Sequence, residues 1–306
     1  MLEFLQSLPS PIAQGMIWGI MAIGVYITFK ILDLADLTVD GSIALGGAVL
    51  VVLTTVYQVN IWVAMAIAFA AGCIAGLITG ILHTKFGIPT ILAGILTQLA
   101  LYSINLAIME GKANITISWR NYDLIVSSKT SGLGITILVC GIFVAVIIAL
   151  LYWFFGTELG HSIRATGCNQ AMARANGINT DSRKILGLVI SNGIVALSGG
   201  LLAQFSGSAD VNMGRGAIVI GLAAVIIGEV IFGKLFKNFA LRLLASVFGG
   251  VIYYIVISIV LKLGLPANYL KLLSAVVVAL FLAIPYWKSI IQAKNVKKSG
   301  GKSKND

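Results

Sequence analysis

Apolar runs of about twenty residues recur along this chain, each stopped by a short polar or glycine-containing break. A run of that length crosses the hydrocarbon of a bilayer as a helix. The pattern predicts nine spans, at roughly 12–32, 42–57, 60–82, 88–109, 133–155, 185–206, 216–233, 239–262 and 268–286. The second is short, as a broken or re-entrant segment would be. None alternates with a period of two, so a membrane β-barrel does not fit. The expected fold is an all-α polytopic membrane protein.

Composition sharpens this. Of 306 residues, 58% are hydrophobic and 10% charged, with 34 glycines. Mean hydropathy is +1.00. So little charge cannot cover a soluble fold, which excludes a soluble enzyme, a disordered chain and a coiled coil. The abundant glycine suits close helix packing in lipid. The net charge of +10 reads as a basic cytoplasmic face, not a nucleic-acid surface. Cys73, Cys140 and Cys168 form no CxxC pair, and His83 and His161 stand alone, so neither a disulfide nor a metal site is expected. The N-terminus lacks a positive region and makes a poor signal peptide.

Placing the C-terminus in the cytoplasm puts fifteen of the 21 Lys and Arg residues inside and six outside. The reverse arrangement inverts that bias, so the C-terminus is expected inside and the N-terminus outside. The spans make one permease domain over 1–290, followed by a lysine-rich tail over 291–306 that solvates the C-terminus or touches anionic lipid.

At an offset of 174 the chain resembles itself. Ile20, Ala22, Ala35 and Asp36 match Ile194, Ala196, Ala209 and Asp210, and Gly46 meets Gly221 after one inserted residue. Five spans separate the two starts, so the copies enter the membrane in opposite directions. Spans 1–4 (about 12–109) and 6–9 (about 185–286) would form an inverted pair, with the fifth as the joint. Such repeats build transporters, because exchanging the copies' conformations exchanges inward and outward access. A passive helical bundle is the alternative.

Between the first two spans lie Asp33, Asp36 and Asp40, followed by Gly41 and Ser42. Carboxylates near a bilayer must face water or partners. The segment reads either as a capped surface loop or as a gate beside a pathway. Lys30 and Asp33 are spaced to pair, and Asp40 or Ser42 can cap a helix start. In the second copy Asp210, Asn212 and Arg215 fall at the outer mouth, where Asp210 and Arg215 are placed to form an ion pair. Glu229 lies in an apolar run, as either a functional carboxylate or an interface residue. Gly228 to Leu235 nearly spells a phosphate loop, but no strand precedes it and Leu235 supplies no magnesium ligand. With no nucleotide site legible, the chain reads as a non-enzyme. The stripes Gly72, Gly76, Gly80 and Gly15, Gly19 predict tight packing.

The longest loop, about 157–183, carries a short helix signal between Gly167 and Gly177, capped by Asn169. With Met172 and Arg174 exposed, it suits docking of a soluble partner; a mere connector is the alternative.

These segments resemble the permease subunit of bacterial ATP-binding-cassette importers, in the ribose and branched-chain amino-acid permease superfamily, with a type II importer fold. Asp36-Leu-Thr-Val-Asp40-Gly-Ser-Ile-Ala-Leu-Gly46 is similar to its signature after the first helix. Residues 164–179 are similar to its coupling loop, and Gly216 to Gly228 to its glycine-rich span. Trp18 to Lys30 resembles a subgroup linked to uptake of tryptophan, tyrosine or phenylalanine. The resemblance implies a homodimeric permease in the bacterial plasma membrane with no cofactor of its own. Cytoplasmic ATPase subunits would bind ATP and Mg²⁺, and an extracytoplasmic binding lipoprotein would deliver substrate. Asp36, Asp40, Asp210, Asn212, Arg215 and Glu229 would line the pathway or gate. Arg164, Asn169, Met172, Arg174 and Asn176 would couple to the ATPase. The alternatives are an importer of the same kind for another small solute, such as a branched-chain amino acid, sugar or nucleoside, and a secondary transporter that couples ions through Asp36, Asp40, Asp210 or Glu229; a membrane scaffold is a further class.

Overall fold

A computed structural model describes residues 9–118, 120–127 and 133–262, and a few positions between 269 and 283. The helices are α1 (Pro9–Tyr26), α2 (Thr38–Thr55), α3 (Ile61–Thr84), α4 (Thr90–Ile108), α5 (Leu133–Phe155), α6 (Glu158–Cys168), α7 (Gln170–Ala175), α8 (Thr180–Ser206), α9 (Ala217–Phe232) and α10 (Phe239–Lys262). A widened π-turn, Ile27–Ile31, extends α1. Seven of these segments are long and apolar enough to cross a membrane, and α9 is a shorter apolar helix. They match the first eight predicted spans. The ninth, at 268–286, lies largely outside the described residues.

Local chemistry sets the helix ends. Asn60, Asn169 and Asn179 accept hydrogen bonds from Trp62 N, Met172 N and Ser182 N at 2.9, 3.0 and 3.1 Å, each satisfying a donor left free by a first turn. Gly207, at φ +73°, ends α8 in the left-handed conformation. Beyond α4 and α8, two three-residue strands, β1 (Asn114–Thr116) and β2 (Ser208–Asp210), pair antiparallel with Asn114 opposite Asp210. Polar loop sequence gave no sign of this ribbon.

Burial separates the centre from the rim. In α2, 89% of the spanning window is enclosed, against 28% in α4 and 22% in α5. Helix α2 is therefore the axis of the bundle. The outer faces of α3, α4 and α5 present Trp62, Ile74, Leu96, Leu138 and Trp153, as helices bordering lipid do.

The contacts repeat with the copies exchanged. Helix α3 packs on α8 as α10 packs on α1; α2 packs on α8 as α9 on α1; α2 packs on α3 as α9 on α10. Where α1 crosses α8, Ser191 Oγ donates to Gly24 O at 2.8 Å and Ser198 Oγ to Ile17 O at 2.7 Å. At the offset of 174, Ser191 corresponds to Ile17 and Ser198 to Gly24, so exchanging the copies carries one bond onto the other. The inverted repeat is a feature of the fold.

Glycine makes these crossings close. A methyl on Gly46 would overlap the Ala196 carbonyl, and one on Gly76 the Leu188 carbonyl. Gly72, Gly76 and Gly80 all press on α8, while Gly15 and Gly19 press on α10 at Val251 and Val247. The two glycine stripes thus serve the same interface in the two copies, once from its third helix and once from its first.

Candidate translocation and docking sites

The break between α1 and α2 and the break between α8 and α9 come together. Asp40, in the first turn of α2, accepts hydrogen bonds from Gly216 N on Oδ2 and Ile218 N on Oδ1, both at 2.8 Å. Those N–H groups belong to the first turn of α9. A side chain 176 residues away in sequence therefore caps α9, whose own N-cap, Gly216, offers no side chain. Gly216 adopts φ +84°, which a glycine tolerates without strain. Gly214 packs on the Asp40 carbonyl, where a methyl would overlap it. Two helices meet N-terminus to N-terminus, and one carboxylate sits where both positive dipole ends converge.

Beside this junction lies a buried polar chain. Asp36 is 1% exposed. Its Oδ1 accepts from Thr38 N at 2.9 Å and its Oδ2 from Asn192 Nδ2 at 2.7 Å. Asn192 Oδ1 in turn accepts from Ser42 Oγ at 2.6 Å. Thr38 joins Thr79 at 2.8 Å, and Thr79 donates to Thr97 at 2.9 Å, so hydroxyls tie α2, α3 and α4. All these groups are buried, where an unmade bond costs most. Asn192, Thr79 and Thr97 were not singled out from sequence. Their one legible signal is a polar side chain inside an apolar span.

The expected pairings change. Lys30 does not meet Asp33; it reaches Glu229 on α9 at 2.7 Å. The widened π-turn and the left-handed Asp33 (φ +55°) break the helical spacing that would have paired them. Glu229 is therefore a half-exposed ion-pair partner. No Asp210–Arg215 pair forms among the described residues. Asp210 accepts from Asn212 N at 2.7 Å and from Asn114 Nδ2 at 3.3 Å, holding a turn and the ribbon, and Arg215 stays exposed. Helix α2 begins at Thr38, not at Asp40 or Ser42. Asp36 caps that start, freeing Asp40 for α9 and Ser42 for Asn192.

At one end of the bundle the long loop folds into two helices, α6 and α7. The second is the short helix expected between Gly167 and Gly177, with Asn169 as its cap and Gly177 at φ +78° beyond it. Met172 is 64% exposed. Asn176 donates to Met172 O at 2.9 Å. Arg174 donates to Thr180 at 2.8 Å and lies 3.6 Å from Asp181, which fixes α7 on the start of α8. Helix α6 was not anticipated. Its Gly167 lies so close to the Ile31 carbonyl that a methyl would overlap it. Arg164 stands apart from the exposed group: its guanidinium lies 4.1 Å from the Phe239 ring centre and 5.4 Å from that of Phe155. It packs α6 against α5 and α10.

Inverted repeats and helices broken inside the bundle are a transporter architecture. A profile for the family described as branched-chain amino acid transport system / permease component matches residues 9–284. The chain belongs to that family, and is the transmembrane permease subunit of an ATP-binding-cassette importer. It is 41% identical over 288 residues to the tyrosine transport system permease protein of Clostridioides difficile, covering 94% of each chain. It is 35% identical over 272 residues to an uncharacterized protein of Rickettsia prowazekii, covering 88% of this chain and 94% of that one. It is 27% identical over 274 residues to the ribose import permease RbsC of Escherichia coli, covering 89% and 83%.

Proposed function

We propose that the chain carries an amino acid, with an aromatic one favoured, across the bacterial plasma membrane as one half of a permease homodimer. The likeness to a tyrosine permease supports the substrate class. Two cytoplasmic ATPase subunits supply ATP binding, Mg²⁺ and hydrolysis, so this chain itself catalyses nothing. An extracytoplasmic binding lipoprotein delivers the substrate. The lysine-rich tail and helices α6 and α7 face the cytoplasm, the side that Lys and Arg favour.

The observation that carries the mechanism is Asp40 joining the first turns of α2 and α9. Parting these helices strands a carboxylate and two N–H groups at once, so the junction holds one state until another is better satisfied. Helix α7 receives the ATPase through Met172, with Asn169 and Arg174 holding its shape. Because Gly167 of α6 rests on the end of α1, a push on α7 and α6 reaches the break before α2. The carboxylates are already spent: Asp36 on Thr38 and Asn192, Asp40 on α9, Glu229 on Lys30, Asp210 on Asn114 and Asn212. That argues against ion coupling through them.

Reconstitution with the ATPase and the binding protein tests this reading. Tyrosine or tryptophan uptake is expected to require ATP and all three components. Uptake by the isolated chain on an ion gradient would overturn it. The double variant Met172→Asp with Arg174→Glu is expected to insert normally, yet neither copurify with the ATPase nor transport.

A further inference from the structure

The bundle end that carries α6 and α7 holds a cavity that the transport reading does not use. It encloses about 340 Å³ where the π-turn after α1, the end of α6 and the start of α10 converge. Tyr26, Lys30, Arg164, Lys237, Phe239 and Arg242 line it. Four of these are cations and none is a carboxylate. Lys30 has Glu229 at 2.7 Å. Among the described residues, no carboxylate comes within 4.0 Å of Arg164, Lys237 or Arg242. The Nε of Arg164 is buried with no hydrogen-bond partner, and its guanidinium carbon lies 4.1 Å from the Phe239 ring centre.

Like charges drawn together in a small space repel unless an anion shares it. Guanidinium groups match phosphate oxygens in pairs, and lysines add point charge. Basic pockets between membrane helices near a membrane surface suit phosphate headgroups. The Phe239 ring and Ile31 give the cavity an apolar wall beside its charges. We propose that this cavity is a phosphate-binding site, the phosphate being carried by an anionic phospholipid headgroup or free in solution.

The full chain in neutral detergent tests this with short-chain phosphatidylglycerol and inorganic phosphate as probes, followed by native mass spectrometry and thermal shift. Wild type is compared with Lys237→Gln/Arg242→Gln, two exposed positions whose change leaves the packing intact, and with Lys85→Gln, an exposed cation outside the cavity. Gel filtration checks folding. Phosphatidylglycerol is expected to bind the double variant about thirtyfold more weakly than wild type, at two surface cations lost. Lys85→Gln should bind as wild type does. If the double variant instead loses only inorganic phosphate, the site stands and its ligand is the soluble anion. Equal binding of both probes by wild type and the double variant would overturn the proposal. So would loss of ATPase copurification in the double variant with both probes still bound, since the cavity would then belong to the ATPase interface.

Discussion

Asp36 and Asp210 occupy matched positions in two inverted copies of one element, and their surroundings differ. The first is buried and bridges its own helix start to Asn192 on α8. The second is half-buried and holds a turn against Asn114 of the β1–β2 ribbon. Beyond them the copies divide the polar work. The first break supplies the carboxylate of Asp40; the second supplies backbone N–H groups from Gly216 and Ile218. Helix packing survives duplication because it needs only size and shape. The polar contacts have specialised, since a capping anion at one junction leaves nothing for a second to do.

Glycine offers the hardest test of this comparison. Gly46 and Gly221 correspond, but Gly46 faces the Ala196 backbone, whereas Gly221 faces the side chains of Met21 and Val25. Backbone cannot yield as a methionine can. Gly46→Ala should therefore cost about 3 kcal/mol or more, and Gly221→Ala about 1 kcal/mol, read as thermal stability of the purified protein. Equal losses would mean the two crossings are equally soft.

Asp40→Ala comes next. It strands two first-turn N–H groups of α9, an expected loss of about 2–4 kcal/mol, together with transport. Arg215→Ala, at an exposed residue of the second break, should leave stability within about 0.5 kcal/mol.

Asp36→Asn is smaller. The new amide turns a donor toward the Asn192 donor, and flipping Asn192 would break its bond to Ser42. A loss of about 1–3 kcal/mol is expected. Adding Asn192→Asp should recover part of it, so a double-mutant cycle that gives simple additivity would disprove the bridge. Asp210→Asn is smallest, about 0.5 kcal/mol or less, with uptake within about twofold of wild type. An effect as large as that of Asp36→Asn would return Asp210 to the gate.

Much of this protein was legible in its sequence. The spans could be read because transfer into lipid depends on each side chain's own polarity, summed over a local window. Asn169 and Gly177 marked α7 because caps act within a few residues. The family resemblance likewise rested on short ordered segments, 36–46, 164–179 and 216–228. The repeat was visible only faintly, since apolar residues replace one another freely against lipid and against neighbouring helices. What the tertiary structure alone decided is where the polar groups go. Lys30 had Asp33 three residues away and takes Glu229 instead, because a π-turn rotates it out of register. Arg164 read as a docking residue and lies over Phe239. Asp40 read as a cap for its own helix and caps α9. Every residue but proline carries a backbone N–H, so no side-chain pattern announces which of them a distant carboxylate will meet; only the packing of the two copies brings Gly216 to Asp40.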